Sequence, residues 1–337
     1  MSEIPQGAIR FNTDSQRLEF YAQGEWWIMS TDTPNLGRST DSTPGPRGLF
    51  GGGQGPSPTN EVNEIEYINI ASTGNSVDFG DLQQTRQALS SLGSSTRGFW
   101  VGGRDAPANF DIIEFVTFSS LGDNTDFGNL SSAKQGPFGL SNATRGISGG
   151  GSFTNTVDYF TMASTGTVAT FGTLQPTGKG TYQSACMTPV RGVYHQSLGA
   201  SPYPGTTYLG GCIIASLGDF QDFGELSQQR ATSASLSNAT RGFFAGGYQP
   251  YTSSIDYMEI SSGGKTSIFG DLQYDRKDLN GNCTSPTRGV IAGGYADSQF
   301  NIIEYFNIQT QGNAVDFGDL LNPRMYKSGI SNAHGGL

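Results

Sequence analysis

The sequence predicts an all-β protein, and three observations carry that expectation. Of 337 residues 49 are glycine, about twice the usual share, while charged residues supply only 14%. One pattern of about 47 residues recurs six times along the chain. No part of that pattern has the i, i+3, i+4 apolar spacing of an amphipathic helix.

Each copy opens on Arg-Gly, at Arg47, Arg97, Arg145, Arg191, Arg241 and Arg288, at intervals of 50, 48, 46, 50 and 47 residues. An apolar pair and Gly-Gly usually follow. Phe-Gly-x-Leu recurs later in each copy, at Phe79, Phe127, Phe171, Phe223, Phe269 and Phe317. Four residues after that leucine stands a cation in five copies: Arg86, Lys134, Arg230, Arg276 and Arg324. The third copy has Gly178 there, with Lys179 next. Between the two motifs lies an acidic–aromatic pair: Glu66-Tyr67, Glu114-Phe115, Asp158-Tyr159, Asp256-Tyr257 and Glu304-Tyr305. The fourth copy departs, with Thr207-Tyr208 at that place and Tyr194-His195-Gln196 where Gly-Gly is expected.

Within a copy the punctuation by glycine separates four short strands. In the fifth they read as 242–246, 255–261, 266–272 and 277–283. Four strands cannot bury both faces of their own sheet, so neighbouring copies must stack. Stacked radially, six such units make a six-bladed β-propeller. Closure is expected through the chain ends. Residues 36–46 are polar and broken by proline, whereas 324–336 repeat the opening of a unit, so 325–332 is expected to complete the first blade.

Residues 1–33 fall outside the repeat. Segments 8–12, 17–22 and 25–29 alternate apolar and polar residues and read as a β-meander of three strands. Such a piece needs a packing partner to be stable. Trp26 and Trp27 are adjacent, so a strand sends them to opposite faces. One is expected on the propeller (residues 34–337), the other on a partner.

Over about residues 36–337, the Gly-Gly pair, acidic–aromatic strand, bulky aromatic and Leu-x-x-x-Arg resemble the kelch repeat. Phe-Gly in place of the usual tryptophan makes the array kelch-like. The phrase Ser-Thr-Gly-Asn…Asp-Phe-Gly-Asp-Leu ending at Leu82, nearly repeated up to Leu320, is similar to repeat proteins of bacteriophages, especially those of aquatic bacteria such as cyanobacteria. Gly-Ala-Ile-Arg-Phe-Asn-Thr-Asp, Leu-Glu-Phe-Tyr and Glu-Trp-Trp, covering about 25 residues, resemble a module of phage tail and fibre proteins. That resemblance implies a place at an assembly interface.

Charge and composition remove several chemistries. Lys+Arg 19 against Asp+Glu 29 leaves a net charge of −10, the wrong sign for a nucleic-acid binder. No apolar run approaches the ~18–20 residues of a membrane span. The opening Met1-Ser2-Glu3-Ile4-Pro5 has neither the basic nor the apolar part of a signal peptide. Cys186, Cys212 and Cys283 are scattered and odd in number, which points to reduced, buried thiols. With only His195 and His334, a multi-histidine metal site is impossible. Asp-Phe-Gly at Asp78, Asp126, Asp222 and Asp316 imitates a kinase signature but recurs with the repeat and lacks the partner loops. Gly264-Lys265-Thr266 imitates a phosphate loop, with Glu259 where its first glycine belongs. Asn142 and Asn238 head glycosylation-like triplets that belong to the repeat.

The repeated arginines suggest a buried fork-to-carboxylate bond in each blade. Asp78, Asp126, Asp222 and Asp316 compete for that role with Glu66, Glu114, Asp158, Asp256 and Glu304. Thr170 and Ile268 replace the aspartate in two units, which favours the second set. The other reading is a ring of arginines that binds an anion in the channel.

Function is expected where the repeats differ. The loops after Gly-Gly run from 7 residues, between Gly151 and Asp158, to 13, between Gly53 and Glu66. They carry Phe110, Phe153, Tyr248, Tyr251, Tyr295 and Phe300, and the irregular fourth unit adds Tyr203. Aromatics on adaptable loops suit a binding surface for protein or sugar; folding inward over the blade edges is the structural alternative. A non-enzymatic virion protein of tail, fibre or head is therefore expected, with no catalytic, cofactor-binding or metal-binding residues. Its N-terminal module would bind other virion proteins, its propeller a host-surface protein or glycan, and copies would self-associate. The alternatives are a carbohydrate-binding or carbohydrate-active propeller and a cellular kelch-type adaptor. Glycosidase chemistry needs two carboxylates about 5–10 Å apart across a sugar, and no unique pair stands out.

Overall fold

The computed structural model describes residues 5, 7–12, 17–28, 46–57, 61–166, 168–174, 180–197 and 205–337. The chain divides into two compact units, Met1–Pro44 and Gly45–Leu337. All regular structure among the described residues is β.

The first unit is a three-stranded antiparallel sheet, β1 (Ile9–Asn12), β2 (Arg17–Ala22) and β3 (Glu25–Ile28), in that order. Gln23 and Gly24 both have positive φ, 53° and 86°, the geometry of a two-residue turn whose twist matches its flanking strands.

The described residues of the second unit form six antiparallel sheets of four strands each, together with a two-stranded ribbon. The fourth sheet gains a short parallel strand, Gly264–Lys265, from the fifth repeat. The innermost strand of a sheet comes from the end of the preceding repeat. Thus Gly281–Thr284 leads into Arg288–Ala292, Ile302–Asn307 and Val315–Asp319. The first sheet, Arg47–Gly51, Glu64–Asn69 and Val77–Asp81, takes its innermost strand from the far end of the chain, Ser328–Ser331. These strands pair as Ser328↔Gly51 through Ser331↔Gly48.

The strand expected over 277–283 starts only at Gly281, because the chain turns through a left-handed residue first. Asp278 has φ 58°, and Ala88, Tyr182, Thr232 and Tyr326 repeat this at 51°, 58°, 53° and 55°. Only the equivalent Gly136, at 62°, is a glycine. A left-handed L-residue costs roughly 1–2 kcal/mol, so surrounding structure must enforce the turn.

The second strand of each sheet is buried along its length after its arginine, which explains its unbroken apolar character in Gly242-Phe243-Phe244-Ala245. Four of the six outer strands are buried at a single residue, the phenylalanine of Phe-Gly. In Val77–Asp81 it is Phe79, 2% exposed, which stabilises by roughly 1.5–3 kcal/mol. Apolar clusters join consecutive sheets. One holds Leu49 and Ile65 of the first sheet with Trp100 and Val116 of the second. Another packs Val290 and Ile303 of the sixth sheet against Phe50 and Ile68 of the first. The sequence of contacts therefore returns to its start.

Phe-Gly owes its glycine to the same neighbour. A Cβ on Gly80, Gly172, Gly270 or Gly318 would collide with the carbonyl of Gly122, Gly218, Gly312 or Gly74, each in the hairpin turn of the adjoining sheet. Donation from Gly122 N to Phe79 O (2.9 Å) and from Gly74 N to Phe317 O (2.8 Å) uses this close approach.

Buried ion pairs bind the sheets, and they correct the expectation for the arginines. The carboxylates of the acidic–aromatic strands are taken by the cations after Phe-Gly-x-Leu: Arg86–Glu114, Lys134–Asp158 (2.9 Å), Arg230–Asp256 (2.8 Å) and Arg276–Glu304 (3.0 Å). All eight side chains are at most 2% exposed. At the chain ends Lys327 takes Glu66, while Arg324 turns to Glu64 at 2.9 Å. The Arg-Gly arginines cannot reach. Arg47 pairs across the sheet with Asn69, three residues or about 10 Å along the strand from Glu66. They instead lie half-buried over aromatic rings, as Arg47 over Tyr67 (4.7 Å), Arg97 over Phe115 (4.6 Å) and Arg191 over Phe223 (5.6 Å). Several also donate to a carbonyl of the adjoining sheet's repeat, as Arg288 to Ile70 O at 3.0 Å.

Two predictions follow from these joints. Arg230→Met strands the Asp256 carboxylate, so urea unfolding should show a loss of about 3–5 kcal/mol; a change below 1 kcal/mol would sink this role. A chain ending before Met325 loses Lys327 and Ser328–Ser331 and should melt well below the intact protein, whereas equal melting would deny the closure.

Candidate binding sites

The N-terminal sheet has two unlike faces because strand residues alternate. On one, Glu19 accepts from Arg10 Nε (2.9 Å) and Asn12 Nδ2 (2.8 Å), and burial and hydrogen bonding are nearly complete. Arg10 lies 4.1 Å over the Trp26 ring, which meets Tyr21 at 5.3 Å. Trp26 is thus used up inside its own sheet. On the other face, cross-strand pairing places Ile9 beside Phe20 and Phe20 beside Trp27, with Phe11 two residues from Ile9. These four are 63%, 36%, 49% and 58% exposed for Ile9, Phe20, Trp27 and Phe11. Glu25, paired with Ala22 and two residues from Trp27, borders that apolar group on the same face.

In the second unit the loop aromatics divide. Tyr248, Tyr251 and Tyr295 gather around the ammonium of Lys277, whose Nζ lies 4.6, 5.9 and 5.4 Å from their ring centres. Backbone pairs fix the arrangement: Lys277 and Tyr295 exchange N–H···O bonds of 2.9 Å in both directions, and Ala231 and Tyr248 do the same. Tyr248 and Tyr251 meet edge to face at 4.9 Å. Asp278 Oδ2 is 3.7 Å from Lys277 Nζ, and burial pushes its carboxyl up to about 6. Phe300 packs against Tyr274 (5.7 Å), with Arg276 5.8 Å from its ring. Phe110 is half-buried and Phe153 exposed, and neither joins the lysine group. Tyr203 lies outside the described residues.

The innermost strands of the six sheets line a cavity of about 50 Å³, walled by Ser90, Ser184, Ser235, Asn282 and Ser328 among others. Tyr182 and Tyr326, two residues ahead of their strands, stack on each other at 4.9 Å. After the last strand the tail crosses to other sheets. His334 Nε2 donates to Gly93 O at 2.8 Å, and Gly336 lies against the Ser141 carbonyl. His195 is equally buried, with Nε2 3.1 Å from Thr206 O. Burial lowers both rings to about 4. All three thiols are free, and burial pushes that of Cys212 up to about 12. Among the described residues no group of three or more His, Cys, Asp or Glu is placed to hold a metal.

Sequence reasoning named the three tyrosines but missed Lys277. The signal was its position: the equivalent residues in other repeats are Gln87, Gln135, Ala231 and Met325. No known family model matches the chain, and no curated protein sequence is similar to it.

The histidines make stability pH-dependent. Unfolded rings protonate near pH 6.5, folded ones only near 4, so the unfolded state binds more protons in between and stability falls on acidification through that window. Each ring accounts for roughly 3 kcal/mol over the window, partly offset by Asp278, which takes up its proton more readily when folded. Thermal melts from pH 7 to 4 should fall less steeply for the His195→Asn/His334→Asn variant; identical slopes would contradict this assignment.

Proposed function

We propose that the second unit is a six-bladed, kelch-like β-propeller and that the chain is a non-enzymatic bacteriophage virion protein. The fold reading is supported by six four-stranded sheets, by strand pairing between the chain ends, and by apolar clusters linking the sixth sheet to the first. In this reading the propeller is a rigid display body of a tail, fibre or head, and the N-terminal sheet is its attachment module.

One observation carries the functional reading: the exposed apolar group of Ile9, Phe11, Phe20 and Trp27 on one face of a small three-stranded sheet. A three-stranded sheet gains stability by covering such a face, and an assembly protein supplies the cover as it docks. The partner is another protein of the particle. The resemblance of this segment to phage tail and fibre modules agrees with that role. Host attachment is the task of the opposite resource, the non-periodic loop aromatics. The carboxylates of four acidic–aromatic strands are committed to cations between sheets, which favours a structural role for those residues.

Mass spectrometry of purified particles of the encoding virus should detect the chain. Phe11→Ser/Trp27→Ser should lower its incorporation by about tenfold or more, since two large apolar contacts are lost, while the melting of the second unit stays unchanged. Particles lacking the chain would overturn the reading, and glycan cleavage by the purified protein would put the enzyme in its place.

A further inference from the structure

Residues required by the fold repeat from sheet to sheet; the Lys277 group does not. Where the sixth repeat's entry carries Lys277, other repeats have Gln87, Gln135, Ala231 and Met325, and all make comparable backbone contacts. Where Tyr248 and Tyr295 stand, the first three repeats have Gln54, Arg104 and Ser152. The turn is built equally well without a lysine or a tyrosine, so architecture does not account for placing one cation among three rings.

The chemistry of the group is that of a receptor for an anion with an apolar face. The ammonium is held by ring faces, which attract its charge but accept none of its N–H donors in the way an oxygen does. Its nearest carboxylate oxygen, on Asp278, is 3.7 Å away, beyond good hydrogen-bond distance. The side chain is 23% exposed and Tyr251 38%, so both can be reached from solvent. An incoming carboxylate would add acceptors closer than the long ion pair with Asp278. The tyrosines offer flat apolar faces with hydroxyl tips, suited to the C–H face and hydroxyls of a sugar ring. The net charge of −10 repels a densely charged polyanion, which selects a ligand whose negative charges are sparse.

We propose that Tyr248, Tyr251 and Tyr295 around Lys277 form a binding site for an acidic saccharide, its carboxylate on the ammonium and its ring against the tyrosines. The site deepens the reading of the propeller as a surface-attachment body and rests on it for its biological role. Its chemistry is tested on the isolated full-length chain, independently of any particle. A protein absent from virions that still binds such sugars would defeat the virion reading and leave this site standing.

The experiment is binding of the purified chain to an array of uronate- and sialate-bearing oligosaccharides beside their methyl esters, followed by titration of the strongest acidic probe. Acidic probes should be retained and their esters should not. Lys277→Met should weaken the titrated affinity by about tenfold or more, as expected for losing a charged hydrogen bond, and Tyr251→Ser should weaken it several-fold. Lys277→Arg should keep most of it, and all variants should melt like the parent. Retention of no acidic saccharide, equal binding of esters, or unchanged affinity in Lys277→Met would overturn the proposal. Retention of acidic peptides in place of the saccharides would overturn it as well.

Discussion

A charge buried between two sheets must find its opposite there, and the second unit depends on that constraint. Each of these four pairs joins a cation at or just beyond the end of one sheet's last strand to a carboxylate in the sheet being entered. Taking such groups out of water costs several kcal/mol per ion, so a wrongly ordered pair of sheets would leave charges stranded. Apolar packing alone is permissive, because Phe and Leu accept many neighbours. The ion pairs add order. Glu66 and Lys327 extend the same rule across 261 residues, which ties the last strand to the first sheet. Further donors support the carboxylate of Asp256: besides Arg230 it accepts from Ser227 N at 2.7 Å and Thr266 Oγ1 at 2.6 Å.

Much of this scaffold was legible in the sequence because it is periodic. Arg-Gly, Gly-Gly and Phe-Gly mark where strands begin, turn and touch, and the acidic–aromatic pair marks the buried carboxylate. The partner of that carboxylate was harder to assign. Two arginine series run through the repeats, and choosing between them needs the distance along a strand. The left-handed turns at Ala88, Thr232, Asp278 and Tyr326 left no mark, because glycine fills only one of the six. Lys327 was equally hidden: Arg324 occupies the consensus position, yet the lysine three residues later takes Glu66.

The candidate sites show the complementary limit. Adjacent tryptophans predicted two faces in the N-terminal sheet, but not that Trp26 would be spent on Arg10 and Tyr21. The tyrosines of the fifth and sixth repeats stood out as departures from the pattern. Lys277 did not, although it departs from the pattern too, because a lone lysine beside a repeat cation looks like solvated charge. Only proximity of loops 18 residues apart in sequence, those of Lys277 and Tyr295, made it the centre of a group.

Periodic residues build the body of the protein, and the proposed partner contacts fall on aperiodic ones. If the chain is a virion protein, as proposed, an electron-microscopy reconstruction of the particle at side-chain resolution tests that division most directly. It should show the face of Ile9, Phe11, Phe20 and Trp27 covered by a different virion protein, with Tyr251 and Lys277 directed outward. A particle in which that face stands open to solvent, or in which the Lys277 group is buried against another virion protein, would contradict it.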